Sequence, residues 1–237
     1  MSSGTVCSAL RTNLDLSGID YLGLERVLKR GTGQVIEQHD QAVFVHDSVS
    51  GAFLLGCENV DLGADILKRG IDSNCRLLMV SDHSLGLDTY RQYGYTGMLE
   101  CFQTAYYGDT PSIENGLTLK NAETSDLPLL IETYDLVSPD ELKRIVFRKR
   151  LILGYDHGKL IGFIGEHLEG SMGLLYVFPE FRRKGYAVAL EKSMIVKTLS
   201  EGYIPFGQVE KNNHASVLLQ KKIGMTISNR LICWMWK

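Results

Sequence analysis

The run Phe181-Arg182-Arg183-Lys184-Gly185-Tyr186-Ala187 puts three adjacent cations and a glycine between an apolar segment, "LLYVF", and a long helical pattern. The first N–H groups of a helix have no partner in a preceding turn, and the helix dipole favours an anion beside them. Phosphate oxygens suit that position. Gly185 would let the backbone approach a phosphate closely, Ala187 would keep the first turn narrow, and Arg182, Arg183 and Lys184 would screen a polyphosphate. Taken alone, the same residues read more simply as a solvated basic turn, and the surrounding context has to favour the phosphate. The run is not a P-loop, which needs a long glycine-rich loop ending in Gly-Lys-Ser or Gly-Lys-Thr, and it lacks the three-glycine dinucleotide fingerprint.

The elements around it predict how it is held. "SPDELKRIVFRK" reads as a helix capped by Ser138, with Pro139 in its first position and Asp140 and Glu141 at its positive end. "RLILGYDHGKLIGFIGEHLEG" reads as two strands turning at Asp156 to Gly158, and "SMGLLYVFP" as a third. From Gly185 the period changes: Ala187, Leu190 and Met194 follow one helical face, broadened by Val188, Ile195 and Leu199, with Gly202 as the stop. "YIPFGQVEKNN" is a strand and its exit, "HASVLLQKKIG" a short helix ending near Gly224, and "MTISNRLICWMWK" a final strand.

An earlier stretch repeats this order. "AVFVHDSVSGAFLLG" is a strand pair, "GADILKRGI" a helix, "CRLLMVS" a strand, and "LDTYRQYGYTGMLECFQTAYYG" a short helix with a terminal strand. "YRQYGY" aligns with "QKKIGM", placing Gly94 opposite Gly224. The polar stretch "NAETSDLP" marks the boundary, giving two related α/β domains, residues 1–124 and 125–237, each a mixed sheet flanked by helices.

The bulk properties exclude other classes. A chain of 237 residues, 44% hydrophobic, can bury a substantial core. Its formal charge of -3 leaves no general basic excess for nucleic acid. Five scattered cysteines, Cys7, Cys57, Cys75, Cys101 and Cys233, offer neither a disulfide framework nor zinc-ligand spacing, and no metal is expected. No apolar run is long enough to span a bilayer, so no membrane is expected and the reading is a cytoplasmic protein. No feature assigns an oligomeric state.

The pattern Arg182-x-x-Gly185-x-Ala187 after "LLYVFP", followed by Asn213-x-x-Ser216-x-x-Leu219 and the "KKIGM" turn, resembles the GNAT acyltransferase superfamily, and within it the glycine N-acyltransferase-like branch. The likeness runs from about Leu129 to Trp236 and is degenerate in the first half. It implies tandem GNAT-like domains, with acetyl-CoA or another acyl-CoA bound by the second. The loop Arg182 to Ala187 would hold the pyrophosphate. The edge of Leu175, Tyr176 and Val177 would take the pantetheine arm as another strand would, with Asn213 and Ser216 beside it. The first domain, which has no Arg-x-x-Gly-x-Ala element, would shape the acceptor pocket.

In such an enzyme an amine attacks the thioester directly, so a base and a donor for the developing oxygen charge are needed. A backbone N–H near Val177 is the expected donor. Glu166, His167 and Glu210 are the candidate bases, and Glu166 and His167, being adjacent, should face opposite sides of a regular strand. The usual tyrosine acid is replaced by Gln220, which has no proton to titrate; Tyr186 is another tyrosine near the site. The resemblance therefore implies an N-acyltransferase, in the simplest case an acetyltransferase, acting on a small-molecule amine or an amino acid, with a protein or peptide amine as the second acceptor class. The alternative is a CoA-binding regulatory or structural protein whose chemistry has decayed.

Overall fold

The computed structural model describes residues 12–113 and 116–237; Cys7 lies outside them. In chain order the elements are α1 (Leu22–Lys29), β1 (Gly33–His39), β2 (Ala42–Asp47), β3 (Phe53–Cys57), α2 (Val60–Gly70), β4 (Leu77–Val80), α3 (His83–Gln92), β5 (Gly97–Ala105), β6 (Thr118–Asn121), α4 (Leu127–Thr133), α5 (Pro139–Phe147), β7 (Leu151–Asp156), β8 (Lys159–Glu166), β9 (Met172–Val177), α6 (Tyr186–Ser200), β10 (Phe206–Glu210), α7 (His214–Ile223) and β11 (Thr226–Trp236). The repeat is visible in this order: β1-β2-β3-α2-β4-α3-β5 is followed by β7-β8-β9-α6-β10-α7-β11. Gly94 and Gly224, the residues matched in sequence, both take positive φ, at 69° and 91°.

Two compact units form. The first holds the described residues up to Thr104 with Gln208–His214 and Ile227–Lys237; the second holds Ala105–Gly207 and Ala215–Thr226. They depart from a linear cut at residue 124 because β11 pairs antiparallel with β4, Cys233 opposite Val80 and Trp236 opposite Leu77. In the first unit the strands run β1-β2-β3-β4-β11-β5. Strand β2 is buried on both faces: Ala42 and Phe44 pack with Ile66, Leu67 and Val80, while Val43 and Val45 pack with Leu24, Val27 and Leu28 of α1. That explains its uninterrupted apolar run. Trp234 packs against the α1-side core, and Trp236 remains partly exposed. Cys57, Cys75, Cys101 and Cys233 are all buried free thiols.

In the second unit β9, β8, β7 and β6 lie side by side, each antiparallel to the next. Strands β7 and β8 turn through His157 and Gly158, both at positive φ. Helix α6 buries the predicted stripe: Leu190, Met194 and Ile195 pack with Ile152, Ile161, Ile164 and Met172, with Val188 and Leu199 at the margin. Each such side chain contributes about 1.5–3 kcal/mol by leaving water.

Ser138 caps α5 as its position predicts, its Oγ accepting from the Glu141 N–H at 3.1 Å. Ser138→Ala should lower stability by about 1 kcal/mol. In a chain of this size that is a fall of about 2–4 °C in thermal midpoint, which scanning calorimetry would read, with Ser138→Asp restoring it.

Candidate active site

The candidate site is built on β9. Along β8 the step from Gly165 to Phe163 spans two residues, while on β9 their partners are Gly173 and Tyr176, three apart. One extra residue is therefore inserted in β9, and Leu174 takes φ 50° there. This is a β-bulge, a device that re-aims backbone groups out of the ladder. The inserted residue also resets the alternation. Met172, Leu175 and Val177 pack toward α6, whereas Tyr176 stacks on Phe163, ring centroids 5.5 Å apart, on the opposite face. The irregular amide is thus at Leu174, three residues before the Val177 position expected from the resemblance, and its N–H is directed at the Tyr134 hydroxyl. Burial pushes the Tyr134 phenol up to about 12, so it stays protonated at neutral pH.

Strand β9 is unequally paired at its two edges. The β8 edge is registered from Met172 to Val177. On the other edge a single register pair, Met172 with Gly207 of the parallel strand β10, falls among the described residues. The equivalent pair in the first unit is closed: β3 and β4 are registered at Phe53, Leu54 and Leu55 with Leu78, Met79 and Val80.

At the end of β9 the chain turns into α6. Arg183 and Gly185 both adopt left-handed conformations, φ 63° and 85°, and Gly185 is the N-cap, with no side-chain cap and no acidic residue in the first turn. The contrast with α2 is direct. There Asn59 accepts from the Leu62 N–H at 3.0 Å, and Asp61 adds negative charge to the first turn. An anion is disfavoured at α2 and favoured at α6.

Two of the three cations fold back on their own turn. Arg182 Nε donates to the Val177 carbonyl at 3.0 Å with its guanidinium over Tyr176, and Lys184 Nζ donates to the Glu180 carbonyl at 3.1 Å. Tyr186 donates its hydroxyl to Asp156 at 2.6 Å, and the carboxylate raises its pKa, which makes it a poorer acid. Ala187 lies half-buried in the first turn, as a narrow helix start requires.

The candidate bases separate as alternation demands. Glu166 faces α6, buried, with Arg150 at 3.0 Å and Thr198 donating at 3.3 Å; Arg150 also reaches Glu201 at 2.5 Å. Its carboxylate is committed to holding β8 against the end of α6. His167 turns to the other face, toward α5, with Nδ1 3.7 Å from Glu141 Oε1. Burial works against the imidazolium, but Glu141 and the neighbouring Glu169 outweigh it and the net shift is upward. Glu210 is exposed in the first unit, where its carbonyl accepts from the Asn213 N–H at 2.9 Å. Asn213 is exposed and Ser216 half-buried.

Gln220 is buried, and its amide donates to Glu191 of α6 at 2.9 Å. With no cation beside it among the described residues, burial lifts the Glu191 carboxyl to about 7. Tyr134, Glu141 and Glu191 were not singled out for function from sequence. Each becomes visible only when a helix or a bulged strand is placed against it.

Residues 151–235 match the model of the family described as FR47-like protein. No curated protein matches the sequence. Among solved structures, a Drosophila protein shares the fold with TM-score 0.66 at 16% identity, covering 100% of this chain and 96% of its own. A GCN5-related N-acetyltransferase-like protein from Streptococcus suis gives 0.56 at 12%, covering 91% and 92%. An acetyltransferase of the GNAT family from Colwellia psychrerythraea gives 0.53 at 14%, covering 86% and 84%. At these identities the likeness establishes the fold: the chain has the mixed α/β architecture of the GNAT proteins.

Proposed function

We propose that this chain is an acyl-CoA-dependent N-acyltransferase, in the simplest case an acetyltransferase, whose acceptor is the amine of a small molecule or an amino acid. The observation that carries the reading is the uncapped, left-handed entry to α6 directly after a bulged strand with an open edge, set against the self-capped α2 and the closed β3–β4 pair. The turn from Arg182 to Ala187 would hold the pyrophosphate on backbone N–H groups, and the open edge from Leu175 to Val177 would hydrogen-bond the pantetheine amides. The thioester of acyl-CoA supplies an acyl carbon open to attack by an amine. The Leu174 N–H, which now meets the Tyr134 hydroxyl, would stabilise developing oxygen charge once the thioester oxygen takes that hydroxyl's place, and a fixed donor of that kind contributes most in a site shielded from water.

The expected stoichiometry is one acetyl-CoA per chain, because in the first unit the elements equivalent to β9, β10 and α6 are a strand pair registered at three positions and a helix capped by Asn59. Isothermal titration calorimetry checks it, and two equivalent sites would overturn the asymmetry. Thiol release measured across a panel of amines tests the reaction. Glycine leads the panel because of the glycine N-acyltransferase likeness, and longer acyl-CoA donors are included for the same reason. Tight binding without turnover on the whole panel would instead support the regulatory reading that the commitment of Gln220 to Glu191 motivates.

A further inference from the structure

Resting on that reading, we propose that His167 takes the proton from the attacking amine and that Glu141 holds the imidazolium formed, so that the pair carries one proton from the amine to the departing thiolate. The placement follows from four local facts. Ser138 caps α5 through the Glu141 N–H and so fixes the helix start that carries this carboxylate. The alternation of β8 sends His167 to the α5 face while Glu166 goes to α6. The hairpin between β8 and β9 is closed by His167 N–H donating to the Ser171 carbonyl at 2.8 Å and Gly170 N–H to the His167 carbonyl at 2.9 Å, which pins the base of the imidazole. Finally, a β-carbon on Gly173 would lie 2.6 Å from His167 Nε2, so the ring rests on the strand backbone next to the Leu174 bulge.

The two ring nitrogens therefore have different surroundings. Nδ1 faces Glu141, and Nε2 lies over Gly173 of β9, the residue before the bulge, whose Leu174 amide would exchange the Tyr134 hydroxyl for the thioester oxygen. A carboxylate on one nitrogen orients the ring and stabilises its charged form, leaving the other nitrogen to exchange a proton with substrate. The His167 side chain keeps 30% of its exposure, so a ligand can reach it. The groups facing it are Glu141 from α5 and Glu169 from its own hairpin, and Glu169 is itself buried and accepts from the Ser171 hydroxyl. Tyr134, at the end of α4, occupies the Leu174 amide beside them.

The step balances without an additional acid. The amine nitrogen forms a bond to the acyl carbon, one N–H proton passes to Nε2, and the C–S bond breaks with its electron pair leaving on sulfur. The proton on His167 then passes to that sulfur, giving an amide and a free thiol with the imidazole restored. This accounts for a reaction with glutamine at position 220, because the proton that the thiolate needs is the one His167 has already collected.

The test uses the full chain, acetyl-CoA and the best acceptor from the amine panel. His167→Ala and His167→Gln should lower kcat by about 10²–10⁴-fold, the usual contribution of a general base, with acetyl-CoA affinity unchanged. Gly173→Ala should also lower kcat, since its β-carbon displaces the ring from the bulge, again with cofactor affinity kept. Glu141→Gln removes the charge that raises the His167 pKa, so the ascending limb of the kcat/KM profile should move to lower pH with the same acceptor; a merely structural contact would leave that limb in place. Turnover in both His167 variants close to that of the intact protein overturns this assignment and leaves the acyl-transfer reading standing. A limb unmoved in Glu141→Gln overturns the role of Glu141. An intact protein that binds no acetyl-CoA, or binds it and acylates no amine, overturns the acyl-transfer reading and this assignment with it.

Discussion

Gly185→Val should weaken acetyl-CoA binding by about 10²-fold, a loss of about 2.7 kcal/mol at 1.4 kcal/mol per decade, while the protein still folds. Gly185 stands at φ 85° and ψ -2°, as the N-cap of a fifteen-residue helix. An L-residue in that region costs on the order of 1–3 kcal/mol, and a β-branched one lies at the upper end. The turn can relieve the strain only by leaving the left-handed region, and doing so rotates the N–H groups of the first turn of α6 away from the direction they now share. If the turn holds instead, the isopropyl group stands where a phosphate oxygen must approach. Both routes damage the anion site, whereas the core of the second unit, centred on Leu190, Met194 and Ile195, is built elsewhere on α6. Gly185→Ala, with a smaller side chain, should fall between the two. Calorimetry with acetyl-CoA and far-UV circular dichroism read the two effects separately; a folded Gly185→Val protein with an unchanged dissociation constant would reject the phosphate-loop assignment.

The sequence carried the local elements well because their signals are local. Ser138 before Pro139 marks the start of α5, the Asp156 to Gly158 turn marks a hairpin, and the stripe of Leu190 and Met194 marks the buried face of α6. The elements it missed are α1, β1, β6 and α4, whose start lies inside the polar stretch read as a boundary. Strand β1 is largely exposed or half-exposed and β6 has four residues, so neither shows a clear apolar alternation. Helix α1 does bury Leu22, Leu24, Val27 and Leu28, and the spacing of those residues was the signal available for it.

Other features belong to pairs of segments, not to one. The apolar run of β11 shows that a strand ends the chain, but its pairing with β4 depends on a partner far away in sequence. A bulge is a difference in residue count between two strands, so Leu174 looks like any apolar strand residue until β8 is laid beside β9. The same holds for the site. Alternation correctly separated Glu166 from His167, yet it could not say which side was committed, because Arg150 and Thr198 on one face and Glu141 on the other come from different elements.

Glu191→Gln should stabilise the protein strongly at alkaline pH and hardly at all in acid. Glu191 is 6% exposed, inside the apolar packing of α6, and its polar partner is the Gln220 amide. Burial raises its pKa from 4.5 to about 7. The folded state therefore holds a proton that the unfolded chain has already released across that window. The stability linked to this proton is complete below the unfolded value and is lost as pH rises through the folded one. The shift corresponds to about 3 kcal/mol at 1.36 kcal/mol per pKa unit, an upper figure for the difference above pH 8. Glutamine removes the charge and keeps an oxygen to accept from Gln220, so it matches the protonated carboxyl in acid and avoids the buried anion in base. Urea midpoints at pH 4.5 and pH 8.5 should coincide at the first and diverge at the second, with a rise in thermal midpoint of about 6–10 °C at the higher pH. A stabilisation equal at both values would show that Glu191 titrates normally in the folded protein, and that the amide of Gln220 is not there to hold a protonated carboxyl.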